Sequence, residues 1–341
     1  MVECPRLPRM GASVWTRPYR HREVPVPHPT RPPPPTVYHP PMTYPPIVPC
    51  LWLDDQAEAA AEFYLAAFRG GSVDAVVHYP ESAPNPSGRP PGSVVTVDFT
   101  VAGQRFTALN GGPAFTINPS ISFFVFVPTA LEVDGLVHAL LDGGSALMAL
   151  DAYPWSERYA WVMDRFGVSW QVMAAAGVER ATVAPCLMFT GPQHGRARAA
   201  IDAYVAVFPG SGVEFVDAYD GDGGPAGTVK HGRFSLAGQP MVAMDSAFEH
   251  GFTFNEAVSL QVMCADQDEV DRLWATLAEG GEFGPCGWLK DRFGVSWQVV
   301  PEGLLPLLTG PDAAARDRTF AALLGMGKLD LAELRRAHEG G

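Results

Sequence analysis

Residues 164–171 read Asp-Arg-Phe-Gly-Val-Ser-Trp-Gln, and residues 291–298 repeat all eight without change. Weaker echoes surround this block, since Pro-Cys-Leu at 49–51 recurs at 185–187 and Ala-Gly-Gln at 102–104 recurs at 237–239. Matched positions lie roughly 127 to 140 residues apart, far more than the period of a solenoid repeat. The chain therefore contains two tandem copies of one domain-sized module.

Composition divides the chain into four segments. Residues 1–46 are rich in proline, with four in a row at 32–35, which predicts an extended, solvated tail. Residues 47–177 and 183–302 hold the two modules, and residues 303–341 are expected to form a C-terminal helical extension. A compact domain would follow Met42 directly, so the native start remains open between Met1 and Met42.

Each module is predicted to contain two β-α-β-β-β units. In the first unit a short strand ends at Leu53, and Asp54 and Asp55 are expected to cap a helix that stops at Gly70-Gly71. Alternating apolar positions predict further strands in both modules at 73–79, 93–101, 104–110, 121–127, 168–173, 229–236, 240–244, 258–264 and 295–300. Helical spacing recurs at 131–141 and 268–277. The predicted fold class is α+β, with four such units in the chain.

Four units that close with this repeated block resemble the vicinal oxygen chelate superfamily of glyoxalases and bleomycin-resistance proteins. More narrowly, Gly-Phe-Thr-Phe-Asn at 251–255, Cys-Gly-Trp at 286–288 and Met-Gly-Lys-Leu-Asp at 326–330 resemble the PhnB-like family, often labelled a demethylubiquinone methyltransferase domain. The resemblance implies that each module curls a mixed sheet into a cup and that the modules pair within the chain. It leaves a homodimer open.

The superfamily resemblance also implies four metal ligands per cup, typically His, Glu, His and Glu. The corresponding positions here fall near Pro49 and Pro185, near Ala108 and Ala243, on Ser122 and Ser259, and on Gln171 and Gln298. Glutamine keeps an oxygen acceptor but lacks the charge that attracts a divalent ion. We therefore expect no cofactor and no metal, although Asp245, His250 and Cys286 leave a different transition-metal site open.

Strand alternation separates the residues of the repeated block by face. Gln171 and Gln298 are expected to face the cup, either contacting a ligand or satisfying neighbouring backbone, whereas Trp170 and Trp297 are expected to pack beneath a helix. Asp164 and Asp291 are expected to cap the turn before the last strand.

The two modules have diverged on their predicted cup faces. Module two presents Ser259 and Gln261, where module one presents Ser122, Phe124 and Phe126. Function is therefore expected to concentrate in module two. The candidate ligand-binding residues are Gln298, Ser259, Gln261, Asp245, His250, Gln171 and Ser122, and no catalytic residue can be assigned.

Several function classes lack sequence support. The formal net charge of −13 disfavours a nucleic-acid surface. No apolar run is long enough to span a membrane, no signal peptide is evident, and the five cysteines make no CxxC pair, which together predict a cytoplasmic protein with reduced thiols. There is no GxSxG elbow, and the glycine-rich run at 221–224 lacks the GxGxxG spacing of a dinucleotide or methyl-donor site.

Two functions remain. A non-catalytic protein that sequesters a small molecule needs only an apolar cup with a few amides. An enzyme acting on a small oxygen-rich metabolite needs a charged group inside the cup, for which Asp245, Glu256 and His250 are the candidates. The direction in which these three side chains point should discriminate between the two.

Overall fold

The computed structural model of the protein describes residues 47–81 and 88–341. The predicted proline-rich tail at 1–46 lies outside the described residues. The strands are β1 Ile47–Leu53, β2 Ser72–His78, β3 Val94–Val101, β4 Gln104–Asn110, β5 Ile121–Val127, β6 Ser145–Tyr153, β7 Ser156–Met163, β8 Ser169–Ala174, β9 Thr182–Phe189, β10 Gly212–Ala218, β11 Val229–Leu236, β12 Gln239–Asp245, β13 Val258–Cys264, β14 Glu282–Phe283, β15 Trp288–Lys290 and β16 Ser296–Pro301. The α-helices are α1 Ala57–Ala67, α2 Ala130–Leu140, α3 Ala197–Val207, α4 Gln267–Leu277, α5 Leu304–Thr309, α6 Ala313–Leu324 and α7 Leu331–Glu339.

The strands form two eight-stranded mixed sheets, and each sheet takes half of its strands from each module. Sheet A has the order β14-β15-β16-β13-β1-β4-β3-β2, and sheet B has the order β10-β11-β12-β9-β5-β8-β7-β6. The modules meet where β1 pairs antiparallel with β13 and where β5 pairs antiparallel with β9. The α+β prediction of four β-α-β-β-β units is confirmed, and each cup is a composite of both modules.

Helices α1 to α4 and one face of each sheet enclose the main hydrophobic core, which is continuous between the two sheets. We call this side of a sheet its helix face and the opposite side its cup face. Trp170 and Trp297 are fully buried on the helix faces, as predicted. Burying an indole ring of this size contributes strongly to core stability.

The turn before each last strand is organised by one aspartate. Asp291 Oδ1 accepts hydrogen bonds from the backbone N–H groups of Phe293 and Val295, while its Oδ2 accepts from the Trp297 indole. Asp164 makes the equivalent bonds in module one. The predicted capping role of both residues is confirmed, and it explains why the repeated block includes the aspartate and the tryptophan together.

The predicted caps of the first helix are wrong. Helix α1 begins after Gln56, and its first N–H, that of Ala57, donates to Asn110 Oδ1 at 2.8 Å. The acceptor therefore comes from the end of β4, which runs parallel to β1 and brings Asn110 beside Leu53. A helix N-terminus needs an acceptor close to its free N–H groups, and here that acceptor is distant in sequence.

The C-terminal helices α5, α6 and α7 pack against one end of sheet A. Phe320 of α6 meets the Tyr79 ring edge-on, and Leu109 and Val300 contact the same helical segment from the sheet. The three helices thus cover part of the cup face of sheet A.

Within the described residues, no helix has the length and apolar character needed to cross a bilayer.

Candidate functional site

Backbone pairing places a row of polar side chains across the cup face of sheet A. Cys50 on β1 lies opposite Ser259 on β13 and beside Thr107 on β4, which in turn lies opposite Asp98 on β3. Gln261 and Gln298 are paired on the adjacent strands β13 and β16. Both modules contribute to this row, so the cup is not the property of module two alone.

Hydrogen bonds connect this row into one network. The Thr107 hydroxyl lies 2.6 Å from Asp98 Oδ1 and 3.0 Å from Gln261 Oε1. The Gln261 amide donates to Gln298 Oε1 at 3.1 Å, and the Gln298 amide donates to Ser259 Oγ at 2.9 Å. Of the predicted site residues, Gln298, Gln261 and Ser259 are therefore brought together. Thr107 and Asp98 join them without having been predicted.

Thr107 links Asp98 to the amides of the network. Its hydroxyl donates to Asp98 Oδ1, and its single proton also lies within reach of Gln261 Oε1. Burial is the main cause that raises the pKa of Asp98, and the hydrogen bond from Thr107 opposes this effect.

The cup of sheet B differs at the equivalent positions. Val242 replaces Thr107, Phe124 replaces Gln261, and Arg233 replaces Asp98 in the matching strand pairs. Phe124 stacks on Phe126, and both lie in a buried apolar cluster on the cup face with Tyr159, Trp161 and Met188. Large side chains thus fill the cup.

The predicted residues Gln171 and Ser122 lie within this filled cup. The Gln171 amide donates to Ser122 Oγ at 3.0 Å, and Gln171 Oε1 accepts from the Tyr159 hydroxyl at 2.7 Å. Gln171 is 3% exposed. Its hydrogen-bonding groups are therefore used by neighbouring side chains, as a buried amide requires.

The structure places the remaining predicted residues outside the network. Asp245 ends β12 and accepts hydrogen bonds from the backbone N–H groups of Gly195, Ala197 and Val229, which positions the start of α3. His250 lies in the loop after β12, where its Nε2 is 2.6 Å from Ser246 Oγ. Cys286 contacts the C-terminal helices through its thiol. These three residues do not meet at one centre.

The cup-facing donors do not fit a divalent metal ion. Pro49, Pro185, Ala108 and Ala243 were predicted to mark the first two ligand positions, but Ala108 and Ala243 lie in the helix-face core. The cup-facing neighbours in sheet A are Cys50 and Thr107. Burial raises the pKa of Cys50 to about 12, so the thiol is neutral and a weak ligand at pH 7. Within the described residues, no group of three His, Cys, Asp or Glu side chains could hold a metal ion.

A cavity of about 340 Å³ opens on the cup face at the β15 end of sheet A. Trp52 and Trp288 form its wall with their rings 5.9 Å apart, and Ser296 and Lys290 also line it. Glu256, one of the three candidates for a charged group, lines this cavity and pairs with Lys290 at 2.7 Å. The cavity was not predicted, although strand alternation places Trp52 on the same face as Cys50.

The composite cups and the paired β-α-β-β-β units define a protein of the vicinal oxygen chelate class. The chain belongs to the 3-demethylubiquinone-9 3-methyltransferase family, whose model matches residues 45–173 and 181–300. Both modules match separately, which confirms the PhnB-like resemblance and the tandem arrangement.

The chain is also similar to solved structures. A putative 3-demethylubiquinone-9 3-methyltransferase, PhnB protein, from Bacillus cereus is 32% identical and covers 38% of this chain and 98% of its own, with a TM-score of 0.34. Glyoxalase I from Zea mays is 11% identical over 78% of this chain and 97% of its own, with a TM-score of 0.51, and so shares the fold. No curated protein matches the chain.

Proposed function

We propose that this protein binds a small organic molecule in the cup of sheet A and does so without a metal ion. One observation supports this most strongly. The cup of sheet A has a connected row of polar side chains, from Asp98 to Ser259, on the same face as a cavity of about 340 Å³. The row adjoins the cavity rather than lining it, because Trp288 of the cavity wall pairs with Gln298 of the row. An apolar wall beside a few fixed polar groups is typical of small-molecule sites.

Binding is favoured over catalysis by the positions of the three charged candidates. Asp245 accepts three backbone hydrogen bonds, and His250 bonds to Ser246. Glu256 lines the cavity but is neutralised by Lys290. The family's name describes methyl transfer, yet no glycine-rich methyl-donor motif was found in the sequence. Free thiols at Cys50, Cys186, Cys264 and Cys286 support a reducing, cytoplasmic location.

The test compares the two matched glutamines. A fluorinated fragment library is screened by ¹⁹F NMR against the full chain and against Gln298→Ala and Gln171→Ala, and native mass spectrometry of the same samples reports any co-purified compound. Gln298→Ala should weaken fragment binding by about 1–3 kcal/mol, the cost of leaving a buried polar partner unpaired. Gln171→Ala should bind as the wild type does. Equal loss in both variants, each folded by circular dichroism, would reject the assignment to sheet A.

A further inference from the structure

Two equivalent tryptophan-serine pairs differ between the sheets. In sheet B, Trp161 lies opposite Gln171 and its indole N–H donates to Ser169 Oγ at 2.6 Å. In sheet A, Trp288 lies opposite Gln298, and Ser296 occupies the place of Ser169. The Ser296 hydroxyl is buried and has no hydrogen-bond partner among the described residues. Among the described residues, sheet A thus lacks the tryptophan-serine hydrogen bond that sheet B makes.

Trp288 instead packs against Trp52. We call the rings of Trp52, Trp288 and Phe115, which line the cavity together, the aromatic box. The Trp52 ring meets Trp288 at 73° and Phe115 at 82°, with centroids 5.9 and 4.9 Å apart. The Trp52 indole is fixed in place because its N–H donates to the Gly112 carbonyl at 2.8 Å. A Cβ on Gly111 would lie 2.3 Å from the indole, so only glycine allows this approach. The aromatic walls are therefore preformed.

The charges around the box favour a cation. Lys290 Nζ is 2.7 Å from Glu256 Oε1, and these two charges cancel. Glu282 also lines the cavity, opposite Lys290 on the neighbouring strand, and no basic side chain of the described residues forms an ion pair with it. Glu256, Glu282 and Lys290 together therefore give the cavity a net charge of −1. Aromatic faces beside a carboxylate attract organic cations through the ring quadrupole.

We infer that the cavity binds an alkylammonium compound that has an oxygen function within a few bonds of its nitrogen. The ammonium head contacts the Trp52 and Trp288 rings, Glu282 supplies the opposite charge, and the oxygen function makes the missing hydrogen bond to Ser296. A buried hydroxyl without a hydrogen-bond partner costs free energy, so a ligand that bonds to Ser296 should bind more tightly than one that cannot. This inference rests on the proposed function, because it assigns a ligand class to the same cup.

The experiment uses three probes that differ in their charge and in their hydroxyl group. Choline has the charge and the hydroxyl, 3,3-dimethylbutan-1-ol has the same shape without the charge, and tetramethylammonium has the charge without the hydroxyl. Each is titrated into the full-length protein by isothermal titration calorimetry, with tryptophan fluorescence as a second readout. Choline should bind roughly tenfold or more tightly than the neutral alcohol, and more tightly than tetramethylammonium.

Four variants assign this preference to the box. Glu282→Gln should weaken choline several-fold, and Trp288→Leu should abolish most binding. Lys290→Met should strengthen choline, because it frees Glu256. Ser296→Ala should reduce choline to the affinity of tetramethylammonium. Trp155→Leu is the matched control, since Trp155 is 53% exposed and does not line the cavity.

The outcomes separate the ligand class from the proposed function. Equal affinity for choline and the neutral alcohol, or no choline binding while fragments still bind in a Gln298-dependent way, overturns the cationic class alone. Failure of all three probes and of every fragment overturns both. A variant that unfolds, judged by circular dichroism, is replaced by Trp52→Phe, which keeps an aromatic face and should retain part of the charge preference.

Discussion

The Tyr204 hydroxyl donates a 2.6 Å hydrogen bond to Asp291 Oδ2, and this bond joins the two sheets. Tyr204 lies on α3, which packs on sheet B, whereas Asp291 lies in the turn between β15 and β16 of sheet A. Tyr64 and Asp164 make the same connection in the opposite direction at 2.8 Å. Asp164 and Asp291 therefore each accept hydrogen bonds from the tryptophan of the last strand and from a tyrosine on a helix that packs on the other sheet.

Loss of this hydroxyl should destabilise the whole fold. Tyr204→Phe leaves a buried carboxylate oxygen with one donor fewer, and we expect the free energy of unfolding to fall by about 1–3 kcal/mol in urea denaturation. Tyr64→Phe should behave similarly. Tyr153→Phe is the control, because the Tyr153 hydroxyl bonds to Ala149 at an exposed position and its loss should cost well under 1 kcal/mol. Equal effects of Tyr204→Phe and Tyr153→Phe would contradict the role of the buried bond.

The roles of the repeated block could be predicted from sequence because they are local. Strand alternation fixes the opposite faces of Trp297 and Gln298, and the turn chemistry of Asp291 involves residues only a few positions away. The pairing of β1 with β13 could not be predicted in this way. The repeated units present similar strand edges, and the sequence near each strand does not specify which edge it will pair with. Packing between residues distant in sequence decides this pairing.

Two parts of the site were missed for different reasons. Asp98 has no unusual local pattern, but it stands where Arg233 stands in the other copy, so a charge reversal between matched positions was the available signal. The cavity depends on where the Trp288 indole points, which no sequence pattern specifies. Asp245 was selected as a charged cup residue, but it ends its strand on the helix side, as Asn110 does in module one.

Asp98 should make stability depend on pH. Its pKa is raised in the folded protein by burial, so the folded state binds this proton more tightly than the unfolded chain does. The contribution of Asp98 to stability is therefore present below the ordinary carboxyl pKa near 4 and is lost as pH rises through the raised value. Asp98→Asn mimics the neutral acid and should gain stability relative to the wild type as pH rises from the ordinary carboxyl pKa near 4 through the raised value. A difference that stays constant or falls over this range, measured by urea titration at each pH, would argue against a raised pKa.

The filled cup should be more sensitive to truncation than the polar one. Phe124→Ala removes a buried ring from the apolar cluster and should cost about 3–5 kcal/mol. Gln261→Ala, at the matched position, removes hydrogen bonds from a half-buried site and should cost about 1 kcal/mol. Thermal and urea denaturation of both variants test this. Comparable losses would mean that sheet A is packed as tightly as sheet B.

Purified protein should contain no stoichiometric transition metal. Among the cup-facing residues, Asp98 is a single carboxyl group whose neighbours Cys50, Thr107, Ser259 and Gln298 are neutral at pH 7, and one carboxyl group among neutral donors attracts a divalent ion only weakly. Elemental analysis by mass spectrometry after purification without chelator should give far less than one Zn, Ni, Mn or Fe per chain. About one tightly held ion per chain would reject metal-independent binding.

Cys50 should resist alkylation although it lies in the proposed binding cup. Burial raises the pKa values of Cys50, Cys186 and Cys264 to about 12, so at pH 8 only about one thiol in ten thousand is the reactive thiolate. Cys286 is only partly buried and should react before these three. Brief treatment of folded protein with iodoacetamide, followed by peptide mapping, should label Cys286 well before Cys50, Cys186 and Cys264, and prior unfolding in urea should remove the difference. Labelling of Cys50 as fast as Cys286 would show that water and reagent reach Cys50 in the cup of sheet A, which would contradict the burial of its thiol.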